Sequence, residues 1–201
     1  MVGNAGERPK LTAKGERTRA RIVKEAAALI HERGVAATTL DDVKVAASVS
    51  GSQLYHYFPD KTDLVQAVID YQADTIVTQN RRALAGANGV QAWRNMIITG
   101  AALTQAKGGC ALGSLGGQLA ETDPEARALI AAGFDQWAVA LSDRLRSLHA
   151  AEKLAPDIDP DDLATTLLAT LQGGLLLSQV QRSTRPLETA VDTLLALAID
   201  R

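Results

Sequence analysis

Ser52, Gln53, Tyr55 and His56 follow Gly51 within the stretch Val49-Ser50-Gly51-Ser52-Gln53-Leu54-Tyr55-His56-Tyr57-Phe58, and Lys61 comes three residues later. An amide, hydroxyls and an imidazole on a run this short suit hydrogen bonding to a partner rather than bond making. Glutamine can donate to and accept from the adenine edge in a major groove, and Ser, Tyr and His suit phosphate or base contacts. Gly51 would let a backbone approach a duplex closely. Lys61, opening the next helix, could neutralise a phosphate beside that helix's free amides. Catalysis has no comparable footing. The chain shows no paired carboxylates or Ser-His constellation at recognisable spacing, no metal-ligand cluster and no Gly-rich dinucleotide turn. His31, His56 and His149 are far apart in sequence. No enzyme, cofactor or metal is expected.

The elements that must hold these side chains are short. Thr38 or Thr39 can cap a helix running to Ala47, with Asp41 and Asp42 in its first turn where a carboxylate complements the helix dipole. Ser48-Val49-Ser50 is long enough only for a tight corner, with Val49 as the apolar pin. Ser50 then caps a helix to about Tyr57, on which Leu54 and Phe58, four apart, bury together. Phe58-Pro59 breaks the chain, because the residue before proline is pushed out of the α region. Before this pair, Ile22, Ala26, Leu29 and Ile30 mark a helix over about 15–33 that Gly34 stops. Two short helices about a tight corner, braced by a third, form a helix-turn-helix.

Charge supports that placement. Residues 1–62 hold ten Lys/Arg against seven Asp/Glu, whereas residues 63–201 hold eleven against sixteen. A basic first third on a chain of net charge −2 points to phosphate contact by that part alone. The start, rich in Gly, Asn, Pro and basic residues, reads as a flexible basic arm over 1–14. It has no apolar core of a signal peptide. The single cysteine, Cys110, excludes an intramolecular disulfide and fits a reducing compartment. No segment is read as approaching the roughly 18–20 apolar residues that span a bilayer. A cytoplasmic protein with no membrane partner is the expectation.

The rest of the chain is helical too. Asp60 caps a fourth helix to about Leu84, and Gly86-Ala-Asn-Gly89 links it to one near 90–107. Lys107 to Gly117 is Gly-rich and reads as a loop with one or two weak helical turns. Asp123-Pro124 opens a helix to about His149. Pro156 to Pro160 opens a long apolar one to about Gln181, and Pro186 begins the last, ending near Ile199. The fold class is all-α, about nine helices: a three-helix helix-turn-helix domain over 15–60 and a larger ligand-binding and dimerisation domain over 61–201. The stretch 163–180 is apolar on more than one face, which asks for a partner beyond its own subunit. With the last helix it would form a four-helix bundle about a two-fold axis. Leu167, Leu171, Gly174, Leu177, Val191, Leu194 and Leu195 are the expected interface.

Thr38-Thr39, Ala46-Ala47, Val49-Ser50, Leu54-Tyr55-His56-Tyr57-Phe58 and Lys61 together resemble the DNA-binding domain of the TetR family of bacterial regulators, closely over residues 17–64. The resemblance implies a dimeric repressor on double-stranded DNA, with Thr39, Gln53, Tyr55, His56 and Lys61 at or near the duplex; Ser50, Gly51 and Ser52 open the same helix. Two departures stand out. Ser48 occupies a corner where relatives usually carry Gly, and Gly51-Ser52 replaces a common Lys-Gly pair. Farther on, residues 109–119, Asp123-Pro124, Phe134 and Trp137 look like the subgroup of lincomycin-resistance regulators, which implies an effector pocket in the C-terminal helices. Trp93, Met96, Ile97, Leu103, Cys110, Leu112, Leu119, Phe134, Trp137, Leu141, Leu171 and Leu175 are its expected wall. So few charges favour a small apolar or aromatic effector, oriented by Gln105, Gln118 or Gln172.

The expected mechanism is a hinge: recognition helices about 34–36 Å apart fit successive major grooves of a palindrome, and ligand favours another spacing. A redox or electrophile sensor through Cys110, and a non-specific architectural DNA binder, are the alternatives.

Overall fold

The computed structural model describes residues 11–199. They form nine helices: α1 Ala13–Arg33, α2 Leu40–Ala46, α3 Gly51–Tyr57, α4 Lys61–Leu84, α5 Gly89–Leu103, α6 Ala111–Leu119, α7 Pro124–Ala150, α8 Pro160–Gln181 and α9 Arg185–Ala198. Among the described residues there is no strand, only an isolated antiparallel bridge between Leu154 and Ile199. The basic arm expected over 1–14 lies mostly outside the described residues. Its end is corrected: the Thr12 side chain accepts from the Gly15 amide and α1 starts at Ala13.

Side-chain caps set most helix starts. Thr39, Ser50, Asp60, Asp123 and Asp159 each accept a backbone N–H in the first turn of α2, α3, α4, α7 and α8, offsetting donors that a helix start leaves unpaired. Pro124 and Pro160 sit in first turns, where their missing N–H costs nothing.

Two expectations fail between α5 and α7. Helix α5 stops at Leu103 rather than 107, because Gln105, Ala106, Gly108 and Gly109 all turn left-handed, with φ of 53°, 54°, 81° and 61°. Beyond them the Gly-rich segment is no loop but a nine-residue helix, α6. Its glycines weaken helix propensity, yet Leu112 and Leu115 are buried and Leu119 packs beside them. Tertiary packing outranks propensity here.

Two apolar cores divide the molecule. One joins Ile22, Ala26 and Ile30 of α1 to Val43, Leu54 and Phe58, then to Leu64, Val68 and Ile69 of α4, Leu112 of α6 and Ile130 of α7. The other joins Val77 and Leu84 of α4 to Trp93, Trp137, Leu141, Leu163, Leu171, Leu187 and Val191. Helix α4, with 24 residues and about 36 Å of length, runs through both. Inside the second core the Trp93 indole N–H donates to Asn80 Oδ1 at 2.5 Å, and the Asn80 amide donates to the Ile76 carbonyl at 2.8 Å.

Helix α8 lies between α7 and α9. It contains an 18-residue window of mean hydropathy 1.3, long and apolar enough by composition to cross a membrane. The expectation that no segment reaches that length is therefore corrected. Its apolarity has a local use: Leu163, Leu167 and Leu171 are buried against the other helices, and Gly174 lets α9 come so near that an added Cβ would lie 3.0 Å from the Leu187 Cα.

Candidate nucleic-acid interface and an internal cavity

Helices α2 and α3 are each closed by reciprocal caps. Asp42 N–H donates to Thr39 Oγ1 at 3.1 Å, while Asp42 Oδ2 accepts from the Thr39 amide and hydroxyl at 2.9 and 2.6 Å. The Thr39 hydroxyl bond, then the backbone bond, holds the Asp42 carboxyl below the usual carboxylate range. In α3, Gln53 N–H donates to Ser50 Oγ at 3.2 Å and Ser50 N–H donates to Gln53 Oε1 at 3.1 Å. This capping box alters the expected reading of Gln53. Its carbonyl oxygen serves the helix start, which leaves the amide Nε2 outside the capping box.

Between these helices Ser48 has φ of 50°, so the serine takes the left-handed corner that glycine would take more readily, at a cost on the order of 1 kcal/mol. Val49 packs partly buried on the first core. Leu54 and Phe58 are each 1% exposed, and the Arg19 guanidinium lies 5.1 Å from the centre of the Phe58 ring. On the opposite side Ser52, Gln53, Tyr55 and His56 are exposed, as are Thr39 and Ser50, while Gly51 and Lys61 are half-buried. The eight expected contact residues thus gather around the free side of α3 and the starts of α2 and α4. Lys61 Nζ reaches the Ala36 carbonyl at 3.5 Å, which draws it towards the turn before α2. Val45 on α2 is strongly exposed.

A cavity of about 500 Å³ opens between α1, α4, α5, the α5–α6 turn, α7 and α8. Five of the twelve residues expected at a pocket line it: Met96, Ile97, Cys110, Trp137 and Leu175. The others are elsewhere. Trp93, Leu112, Leu141 and Leu171 are sealed in the cores, Leu119 and Phe134 pack against them, and Leu103 is 80% exposed at the end of α5. Phe134 does back the wall, stacked on Trp137 at 6.4 Å with 9° between the rings. Sequence reading missed the polar wall: Lys24, Glu25 and His31 from α1, and Tyr71, Gln72, Thr75 and Gln79 from α4. On α4, Gln72, Thr75 and Gln79 recur three and four apart, and on α1 Lys24 and His31 lie seven apart, two turns along one face, the one signal that could have found them.

None of the three expected orienting glutamines, Gln105, Gln118 or Gln172, lines the cavity. Gln118 has another engagement: its Oε1 accepts the Val35 amide at 2.7 Å, just past the end of α1, and its Nε2 donates to Ser114 at 3.1 Å. Cys110 caps α6, its Sγ accepting the Gly113 amide at 3.4 Å. Burial first of all pushes its thiol above the usual range, against smaller lowering hydrogen bonds. Burial likewise lowers His31.

Residues 22–68 match the family described as bacterial regulatory proteins, tetR family, and residues 86–194 match the tetracyclin repressor-like C-terminal domain. An uncharacterized HTH-type transcriptional regulator of Mycobacterium tuberculosis is 31% identical over 183 residues, covering 85% of this chain and 88% of that one. This chain belongs to the TetR family.

It is accordingly a DNA-binding transcriptional regulator with a helix-turn-helix. The transcriptional regulator AcuR of Cereibacter sphaeroides is 25% identical over 167 residues, 81% of this chain and 76% of that protein. A regulatory protein TetR from Rhodobacter sphaeroides shares the fold with a TM-score of 0.82 at 22% identity, over 90% of this chain and 98% of that one. SmeT in its triclosan complex does so at 0.70 and 22%, over 92% of each chain.

For a TetR-family chain, the expected interface residues divide unevenly. Leu167, Leu171, Gly174 and Val191 are buried within the subunit's own core, and Leu195 packs partly buried against it. They hold α8 on α7 and α9, so a partner cannot reach the buried four. Leu177 is half-exposed, and it lines a shallow groove with Leu194 and Leu197. Leu176 and Val180, which fall in the apolar stretch 163–180, are exposed on α8 too.

Proposed function

We propose that this TetR-family regulator is a homodimeric, ligand-responsive repressor that acts in the cytoplasm. It binds a palindromic operator and leaves it when a small effector enters the cavity. One observation carries the reading. Helix α6 begins at the cavity wall, with Cys110 as its cap and Ala111 as its first residue, and seven residues beyond Ala111 it is tied through Gln118 to the Val35 amide beside the helix-turn-helix. A shift of α6 on ligand entry is thereby felt at the end of α1. The bare strip of α8 and α9 supplies the dimer surface, which sets the spacing of two recognition helices. SmeT forms a complex with triclosan. The Met96, Ile97, Trp137 and Leu175 side of the cavity suits an apolar body.

Cys110 is better explained as the α6 cap than as a sensor, since burial disfavours the thiolate that such chemistry needs. Gel-shift titration with the DNA flanking the protein's own gene tests the whole proposal: specific binding of an inverted repeat, weakened by a cavity ligand, is the expected result. A hundredfold weakening corresponds to about 2.7 kcal/mol of coupling. In Gln118→Ala that factor is expected to fall about tenfold, with operator affinity in the absence of ligand little changed. Full coupling in the variant would rule out the Gln118 route.

A further inference from the structure

The cavity wall is divided by chemistry. Its α7 and α8 side is mainly apolar, with Trp137 and Leu175, whereas the α1 side carries Lys24, Glu25 and His31, and the α5–α6 turn adds Lys107. Two lysines therefore line the cavity with one carboxylate, and none of the three has an ion-pair partner among the described residues. The His31 ring lies against the α5–α6 turn: a Cβ at Gly108 would come within 2.3 Å of its Nε2. Its Nδ1 is buried and has no hydrogen-bond partner, and the same holds for the indole Nε1 of Trp137, which is 2% exposed. A buried polar atom without a partner costs on the order of 1–3 kcal/mol, so two of them beside one cavity mark a missing complement. Indole N–H can only donate, and imidazole can donate from Nδ1. For the indole, and for the His31 tautomer protonated at Nδ1, the missing complement is an acceptor.

We propose that the cavity is a carboxylate site, holding a small molecule with an apolar body and one carboxylate that sits between His31 of α1 and Lys107 of the α5–α6 turn. This rests on reading the cavity as the effector site and names the effector's class. An amine would meet two lysines against a single carboxylate, Glu25. A hydrocarbon would leave both ring nitrogens unpaired. A carboxylate takes hydrogen bonds from neutral or charged donors and is favoured by the local sign of charge. Because His31 belongs to α1, the ligand touches the DNA-binding unit itself and draws it towards the turn.

Proton linkage follows. The titratable groups around His31 in the cavity are Lys24 and Glu25 on α1, Tyr71 on α4, Lys107 in the turn and Cys110 at the start of α6. Histidine is the type among them that ordinarily titrates near neutrality. Burial holds His31 below its usual 6.5 when the cavity is empty, and a bound anion raises it. Binding then takes up a proton and tightens as pH falls.

Calorimetric titration of the full-length protein with benzoate and hexanoate, each paired with its amide, tests the site. At least one acid is expected to bind about tenfold or more tightly than its amide, as a charge-assisted hydrogen bond allows, and more tightly at about pH 6 than at about pH 8. His31→Gln should remove the pH dependence. Lys107→Gln, on an exposed residue with little folding risk, should weaken the acid severalfold and leave the amide unchanged. Amides that bind as well as the acids, no binding of either acid at millimolar concentration, or an unchanged pH dependence in His31→Gln would each overturn the carboxylate site. The effector reading fails separately: an acid that binds with these features and leaves operator affinity unaltered keeps the site and removes its regulatory role.

Discussion

Leu177→Glu combined with Val180→Glu is expected to turn a dimer into a monomer at micromolar concentration without unfolding the subunit. Leu177 is 51% and Val180 75% exposed in the isolated subunit. Neither carboxylate therefore enters the subunit core. Across a two-fold axis the same patch meets itself, so each change places like charges in a desolvated interface and is counted twice. Sedimentation velocity should show the shift in mass, while circular dichroism and melting of the monomer stay native. Operator affinity should fall at least about a hundredfold, because a single recognition helix then binds a half-site without the linked second contact. A double variant that still sediments as a dimer would remove α8 from the interface. The control is Leu103→Glu, a still more exposed leucine at the end of α5, for which no change of mass is expected.

Phe58→Ala is expected to cost about 3–5 kcal/mol, the usual range for deleting a buried phenylalanine ring. The ring is 1% exposed in the core that joins α1, α2, α3 and α4, and its loss also removes the surface that Arg19 covers. Helix α3 has seven residues, too few to persist by itself. It holds its position through Leu54, Phe58 and the Ser50 cap. The expected readout is early loss of amide protection across α2 and α3, with operator binding falling in step while the second core still melts cooperatively. Phe58→Leu should recover most of the stability. An alanine variant with wild-type melting and DNA binding would show that this core is not anchored at Phe58.

The helix-turn-helix was legible because its signals are local. Caps at Thr39 and Ser50, a corner at Ser48-Val49 and a buried pair at Leu54 and Phe58 all lie within a few residues of the groups they position. The α6 helix was illegible for the opposite reason. Its glycines argue locally against a helix, and Leu112 and Leu115 find their partners only when α1, α4 and α7 are assembled around them. Much the same explains the cavity. Apolar residues of the C-terminal half were legible as apolar, but nothing in their spacing separates a wall residue such as Leu175 from a sealed one such as Leu171. The contribution of α1 was hidden more deeply. Lys24, Glu25 and His31 are polar residues of α1 that border the cavity, and only the folded chain brings them to the wall. The apolar run of α8 was recognised as excessive, yet its period could not say which leucines serve the subunit and which remain bare.

The parallel stack of Phe134 on Trp137 gives the molecule a built-in optical gauge. The chain has two tryptophans, both outside the helix-turn-helix. Trp93 is sealed and donates its indole N–H to Asn80, so its emission should stay constant and blue-shifted. Trp137 borders the cavity with its ring against Phe134. A change in intrinsic fluorescence therefore reports filling of the cavity, while docking on DNA, at the other end of α4, should leave that light nearly unaltered. Occupancy and grip can be read as two separate signals from one unlabelled sample.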